Sequence, residues 1–224
     1  MAASRCDAPG RTGRLPRSGV PGRPGGRLNG GVLVTTTSLR QLDPSDLVPA
    51  TPPAQPARIV RVEEPAPEFA RFLYTAVGGD WHWTDRLSWN LAAWTEWLRR
   101  PGSELWVAWH GGAPAGYVEL TASAPAKATG THTEIAYFGL LPSYIGRGLG
   151  GQLLTEGVRR AWTLHERCAG LAPVSVVWLH TCTLDGPHAL GNYTARGFRA
   201  FRTVTEDEPV PAVSPGPWPG AHDG

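Results

Sequence analysis

The chain is poor in the residues that build a disulfide framework or a thiolate metal site. Its three cysteines are Cys6, Cys168 and Cys182, and no two of them stand in a C-x-x-C pair. An odd number of cysteines without that spacing supports neither a disulfide scaffold nor a structural zinc site. The cysteine content therefore indicates a reducing, cytoplasmic compartment, no metal site, and a buried bystander role for Cys182 at a strand end.

Long apolar runs and a strong charge of one sign are also missing. No apolar run approaches the roughly 18 residues of a membrane-spanning helix, and the formal net charge is +2. The segment before Gln41 has seven arginines against one acidic residue, Asp7, but it lacks aromatics for stacking on bases and lacks the apolar region of a signal peptide. We therefore expect neither a membrane partner nor a nucleic-acid partner.

Both ends of the chain are poor in the apolar residues that a core requires. Residues 1–57 are rich in Arg, Gly and Pro, and residues 206–224 are acidic and then rich in Pro and Gly. Such compositions bury too little apolar surface to offset the entropy of ordering. The sequence thus predicts a disordered N-terminal extension over 1–57, one domain over 58–205, and a disordered tail over 206–224. A translation start near Val34 would fit this division.

What the chain does contain is a glycine-rich turn between a predicted strand and a predicted helix. The segment from Glu134 to Leu154 reads EIAYFGLLPSYIGRGLGGQLL. Glycines let the backbone approach a ligand closely, and the first turn of a helix offers unpaired N–H groups and a positive dipole end. This segment therefore predicts a binding site for a phosphate-bearing ligand.

Two common phosphate motifs fit this turn poorly. Gly146, Gly148 and Gly151 spell the dinucleotide pattern G-x-G-x-x-G. In that motif, however, the first glycine follows the strand directly, and a carboxylate about 20 residues on holds the ribose. Here residues 142–145 intervene, and the next acidic residues fall within the predicted helix. A phosphate loop is excluded because no Gly-Lys-Ser/Thr follows the glycines.

The strand, proline, glycine turn and helix instead resemble the GCN5-related N-acetyltransferase (GNAT) superfamily, whose pattern includes Q/R-x-x-G-x-G/A. Gly148 and Gly150 match this pattern, whereas Ile145 stands where Gln or Arg is usual. A second segment, 178–198, reads WLHTCTLDGPHALGNYTARGF and resembles the superfamily's second cofactor segment, which ends in Y-x-x-x-G-F. The resemblance covers roughly residues 58–205.

The resemblance implies a mixed α/β fold with a central, mostly antiparallel sheet flanked by helices. Hydrophobic periodicity and turn signals predict the element order β-α-α-β-β-β-α-β-α-β, which agrees with that fold. The predicted strands are 58–64, 104–110, 113–121, 131–141, 174–182 and 198–204, and the predicted helices are 68–76, 85–100, 148–167 and 187–196.

The same resemblance implies that acetyl-CoA is the co-substrate and that no metal takes part. The backbone amides of the glycine turn would hold the pyrophosphate, the end of the preceding strand would pair with the pantetheine arm, and Arg147 would add charge. The expected cofactor-binding residues are Phe138, Gly139, Leu140, Gly146, Arg147, Gly148, Leu149, Gly150 and Gly151.

Three side chains are candidates for the chemistry that the resemblance implies. Glu134 falls where histone-type members carry their general base, and His180 falls where other members place an acid-base residue. A strand-edge salt bridge for Glu134 and a structural role for His180 are the alternatives, and the sequence leaves the choice of base open. Tyr193 matches the tyrosine that protonates or hydrogen-bonds the coenzyme sulfur.

The acceptor is predicted only as a class, a small-molecule or protein amine. Trp81, Trp83 and Asp85 lie in the segment that joins the first two predicted helices, which in this superfamily borders the acceptor pocket. Aromatics beside a carboxylate would suit a cationic amine, and ordinary packing explains the tryptophans equally well. The expected function is N-acetyl transfer by direct attack in a ternary complex, with a homodimer as an open option. The alternative is a non-catalytic acyl-CoA-binding regulatory module.

Overall fold

A computed structural model describes residues 31–125 and 129–221, which form a mixed α/β architecture. The strands of this part of the chain are β1 Val32–Gln41, β2 Arg58–Arg61, β3 Ser103–His110, β4 Ala113–Ser123, β5 Thr131–Leu140, β6 Val174–Cys182 and β7 Arg199–Glu208. The helices are α1 Pro67–Gly78, α2 Leu91–Leu98, α3 Leu149–Trp162 and α4 Ala189–Ala195. The mixed α/β fold implied by the resemblance is confirmed.

All seven strands belong to one sheet with the order β2-β3-β4-β5-β6-β1-β7. Every neighbouring pair is antiparallel except β5 and β6, which are parallel. Parallel neighbours need a crossover connection, and α3 supplies it. The predicted mostly antiparallel mixed sheet is therefore confirmed, and its single parallel pair lies near the middle.

The prediction that residues 1–57 form a disordered extension is wrong for its described part. Residues 32–41 form β1, which pairs with β6 on one side and with β7 on the other. Val34 and Leu39 are buried in this strand. The prediction rested on the arginines, glycines and prolines of the whole segment and overlooked the stretch VLVTTT, in which five of six residues are β-branched and favour a strand. Residues 1–30 lie outside the described part of the chain.

The segment after β1 is also ordered, because it packs along α3. The Gln152 side chain donates to the carbonyl of Ala57 and accepts from its amide, both at 2.9 Å. The amide of Ala50 donates to the Thr155 hydroxyl at 2.9 Å. These bonds give the polar backbone of the segment partners that water would otherwise supply.

The predicted disorder of residues 206–224 is likewise wrong for residues 206–221. Residues 206–208 belong to β7. Beyond them the chain folds back, and the amide of Gly216 donates to the carbonyl of Gly79 at 3.1 Å. Backbone hydrogen bonds to a distant loop can order a segment that has few apolar residues.

Two hydrophobic cores lie on the two faces of the sheet. On one face α3 packs against β4, β5 and β6 through the buried apolar side of the helix. On the other face α1 and α2 cover an aromatic cluster. The cluster residues Tyr74, Trp83, Trp94, Tyr117 and Tyr137 are all almost fully buried. None of the helices in the two described ranges is long and apolar enough to cross a membrane.

Helix α2 is shorter than the predicted helix 85–100. It begins after Asn90, whose side-chain oxygen accepts from the amide of Ala93 at 2.9 Å, as an N-cap does. The preceding residues form turns, because Arg86 extends into the core toward the sheet. Periodicity alone did not reveal this break.

Candidate active site

A cleft opens in the sheet where β5 and β6 separate. The two strands pair only from Thr131 opposite Val174 to Glu134 opposite Trp178, although both continue well beyond those residues. Just past this point the register of β5 with β4 shifts, so that Ala136 is an extra residue, and such bulges bend a strand and increase its twist. No described strand occupies the β6 side of residues 136–140. A ligand can therefore pair with that backbone edge.

The glycine turn lies at the end of β5 and opens α3. Gly146 and Gly148 have φ angles of 84° and 77°, a region that residues with a Cβ rarely adopt. Gly148 is the N-cap residue of α3, and no side chain caps the helix there. The first N–H groups of α3 are thus left to solvent or to an anion. This geometry fits the expected pyrophosphate position.

Sequence reasoning missed Arg196, which brings a second positive charge to this turn. A Cβ placed on Gly151 would lie 3.3 Å from the Arg196 Nη1 atom, so the guanidinium lies against the first turn of α3. The Cζ atom of Arg147, the cation expected from the sequence, lies 5.2 Å from the ring centroid of Tyr144. Arg196 occupies a variable position of the Y-x-x-x-G-F pattern, so the pattern itself carried no signal for it.

Glu134 and His180, the two rival candidates for the base, are neighbours in the structure. Ile135 and Leu179 pack in the α3 core, so Glu134 and His180 lie on the opposite face, toward α1 and α2. The Glu134 Oε1 atom lies 3.5 Å from the His180 Nδ1 atom, and the two side chains are 13% and 6% exposed. Strand divergence thus places a carboxylate and an imidazole together at the start of the cleft.

Tyr193 lies in α4 beside the same cleft. Its ring centroid lies 6.2 Å from that of Phe138 on β5, and the side chain is fully buried. Among the described residues its hydroxyl has no hydrogen-bond partner. Burial raises the pKa of this phenol well above its usual value, and the charge of Asp185 raises it further. Tyr193 therefore stays protonated and keeps a hydrogen-bond donor for a ligand atom.

The three predicted acceptor contacts are not brought together. Trp83 is 1% exposed and packs against Tyr74 and Tyr137 in the aromatic core, so its placement supports the packing alternative. Trp81 is half-buried, and a Cβ on Gly186 would lie 3.2 Å from its ring. Asp85 is exposed. Trp81 alone lies beside the loop that follows β6.

Arg86, which the sequence analysis did not single out, is the most unusual side chain on this face. It is 2% exposed and donates two hydrogen bonds of 2.8 Å to Glu119 on β4. Burial lowers the pKa of the guanidinium, but its interactions with neighbouring groups, led by the carboxylate of Glu119, together raise it. Five aromatic rings surround the guanidinium within 6 Å of its central carbon. They belong to Tyr74, Trp89, Trp94, Trp97 and Tyr137.

The C-terminal segment contacts the loop after α1. In this loop His82 has a φ angle of 57°, and it is the one residue other than glycine with a positive φ in the described ranges. Its ring Nε2 atom lies 3.2 Å from the carbonyl oxygen of Pro211, and its amide donates to the Ser214 hydroxyl at 3.4 Å. The same hydroxyl donates to the carbonyl of Gly79. These bonds hold a strained residue next to Trp81.

No cluster of three or more metal-ligating side chains occurs in residues 31–125 and 129–221. Cys168 and Cys182 are free thiols, and Cys182 is buried, as the sequence predicted. Cys6 lies outside the described residues.

Several solved structures match the chain at low sequence identity. A GCN5-related N-acetyltransferase from Kribbella flavida is 20% identical, with 78% of this chain covered and a TM-score of 0.52. One from Sphaerobacter thermophilus is 16% identical, with 82% covered and a TM-score of 0.44. An aminoglycoside N-acetyltransferase in complex with CoA is 18% identical, and the match covers 70% of this chain and 98% of that one, with a TM-score of 0.45.

The first of these structures supports the fold, and the other two superpose too loosely to add to it. The match covers 58% of the Kribbella protein and 54% of the Sphaerobacter protein. No curated protein sequence matches the chain.

The model of the acetyltransferase (GNAT) family matches residues 66–198, which is more than half of the chain and includes both the cleft and the glycine turn. The chain belongs to the GNAT acetyltransferase family.

Proposed function

We propose that the chain is an N-acetyltransferase that moves an acetyl group from acetyl-CoA to an amine by direct attack in a ternary complex. The observation that carries this proposal is the cleft itself. The cleft extends from a glycine turn, which suits a phosphate group, to a carboxylate–imidazole pair, which suits removal of a proton. The buried hydroxyl of Tyr193 lies beside the same opening.

The coenzyme follows the cleft in this proposal. The amides of residues 146–151 bind the pyrophosphate, with Arg147 and Arg196 as the nearby cations. The free backbone edge of residues 138–140 pairs with the pantetheine amides as an added strand would. When bound, acetyl-CoA supplies the activated acetyl thioester.

The side chains of the cleft then accept one proton and donate another. The Glu134–His180 pair removes a proton from the acceptor ammonium, which leaves a neutral amine with a lone pair for attack on the thioester carbon. The amine nitrogen forms the new bond to that carbon as the bond between carbon and sulfur breaks. Tyr193 hydrogen-bonds the departing sulfur and supplies its proton, because the phenol stays protonated at neutral pH. The nitrogen releases its second proton as the amide forms, and that proton restores the phenol.

A thiol-release assay tests the proposal. Purified protein is incubated with acetyl-CoA and a panel of amines, including polyamines, aminoglycosides and peptides with a free N-terminus, and free thiol is measured. We expect at least one amine to accelerate thiol release. Coenzyme A binding without amine-dependent release across the panel would instead identify a non-catalytic acyl-CoA-binding module.

The free thiols of Cys168 and Cys182 are compatible with action in the cytoplasm.

A further inference from the structure

The outer edge strand β7 is long and open to solvent. Within the described part of the chain it pairs with β1 alone, so one side of its backbone has no strand partner. None of its ten residues is buried. Such an edge presents a row of N–H and C=O groups that can template pairing with another chain.

The distal part of β7 is regular enough to serve as such a template. Residues 202–208 pair with residues 32–38 in an uninterrupted register, and the irregularity lies between Ser38 and Leu39. The strand contains no proline. Bulges and prolines are devices that protect an edge, and this stretch has neither.

The charges of β7 are separated by sign along the strand. Arg199 and Arg202 stand in its first half, and Glu206, Asp207 and Glu208 end it. Charges that only protect a sheet edge from pairing could all have the same sign, because like charges already repel a second copy of the strand. The order matters when a second copy pairs with the strand. Parallel in-register pairing sets each arginine against its own copy, whereas an antiparallel register centred on Val204 sets Arg202 opposite Glu206.

We propose that two copies of the chain pair their β7 strands antiparallel about Val204 and so form one continuous sheet across a two-fold axis. Arg202 then lies opposite Glu206 of the partner subunit, and symmetry repeats the contact. Directly opposed residues have Cβ atoms about 4.5–5.5 Å apart, within reach of an arginine–glutamate ion pair. The interface is isologous, as in most two-fold dimers. The cleft between β5 and β6 lies on the far side of β1 and stays open.

Charge-swap variants test the proposal by sedimentation velocity from 5 to 200 µM. We expect the wild-type protein to dimerise. Arg202→Glu and Glu206→Arg should each weaken the dimer at least tenfold, because each removes two ion pairs and opposes like charges. The double variant Arg202→Glu/Glu206→Arg should restore wild-type association. High salt should weaken the wild-type dimer, because exposed ion pairs are screened.

Arg71→Glu is the matched control, since Arg71 is an exposed arginine on α1, away from β7. It should leave the dimer intact, and circular dichroism should show all variants folded. A wild-type protein that stays monomeric at 200 µM would overturn the proposal. So would single variants that still dimerise, or a double variant that fails to recover. None of these outcomes depends on acetyltransferase activity.

Discussion

At the residue scale, the contact between Glu134 and His180 changes the question of which side chain is the base. Considered along the sequence, the two residues are alternatives 46 positions apart. In the structure their Oε1 and Nδ1 atoms lie 3.5 Å apart. A carboxylate that contacts an imidazole can orient it, so the two side chains can act as one unit in proton removal.

We expect Glu134→Gln and His180→Asn each to lower kcat/KM by about 10²–10⁴-fold, the usual loss when a general base is removed. The double variant should be little worse than the worse single variant, because members of a unit are not additive. The variant that lacks the proton-accepting group should lose the fall in kcat/KM at low pH. Steady-state rates across pH, with the best amine from the screen, measure this.

Tyr193→Phe is the matched control for the pH profile. The phenol is protonated across the neutral range, so this variant should lose rate and keep the acidic limb. If Glu134→Gln retains full activity while His180→Asn does not, the histidine is the base by itself. Full activity in both variants would remove the pair from the mechanism.

Gly148 and Gly150 offer a second comparison at this scale. Gly148 has a φ of 77°, so Gly148→Ala should cost about 1–2 kcal/mol of stability and should disturb the turn that binds phosphate. Gly150 lies inside α3, and a Cβ there would meet Leu140 at an ordinary 3.6 Å. We expect Gly148→Ala to lower both the melting temperature and the affinity for coenzyme A in calorimetry. Gly150→Ala should preserve both, and equal losses in the two variants would contradict this account.

At the scale of elements, the ion pair between Arg86 and Glu119 connects the turn before α2 to strand β4 of the sheet. The pair is almost fully buried, and Glu119 also accepts from the Trp97 indole at 2.6 Å. Breaking a buried pair from one side leaves an uncompensated charge and costs about 3–5 kcal/mol. We expect Arg86→Met and Glu119→Gln each to lose stability of that order in urea unfolding. Arg86→Met/Glu119→Leu should lose less, and a double variant as unstable as the two single losses combined would contradict the pairing.

Strand β1 gives the second test at this scale. A chain that begins at Gly31 should keep the cooperative thermal transition, because it retains every described element. A chain that begins at Leu42 lacks β1 and separates β6 from β7, so it should lose that transition. Circular dichroism melting curves measure both. An unchanged melting temperature for the chain that begins at Leu42 would mean that β1 contributes nothing to the fold.

The elements also show what sequence patterns could and could not predict. The β3–β4 hairpin and β6 were predicted closely, because two glycines mark the first and an uninterrupted apolar run marks the second. Strand β1 was missed because its apolar residues are few and its partners are distant in sequence. The start of the predicted helix 85–100 was misjudged because Arg86 gains its partner only through tertiary structure.

At the scale of the whole molecule, the site is assembled by topology. The glycine turn and the Y-x-x-x-G-F segment were recognisable as local patterns. The contact between Glu134 and His180 depends instead on two parallel strands separating at one register position. The approach of Arg196 to Gly151 likewise brings together residues that are distant in the sequence. Contacts between distant parts of the chain leave no periodic signal, so the sequence could nominate residues but could not pair them.

The central claim is that coenzyme A lies in the cleft between β5 and β6 with its pyrophosphate on the glycine turn. Hydrogen–deuterium exchange with and without coenzyme A tests this claim directly. We predict slower exchange at the amides of residues 136–141 and 146–152, where the ligand pairs with the strand and covers the turn. Residues 91–98 of α2 should exchange unchanged. Protection confined to another region, or none at saturating coenzyme A, would contradict the account.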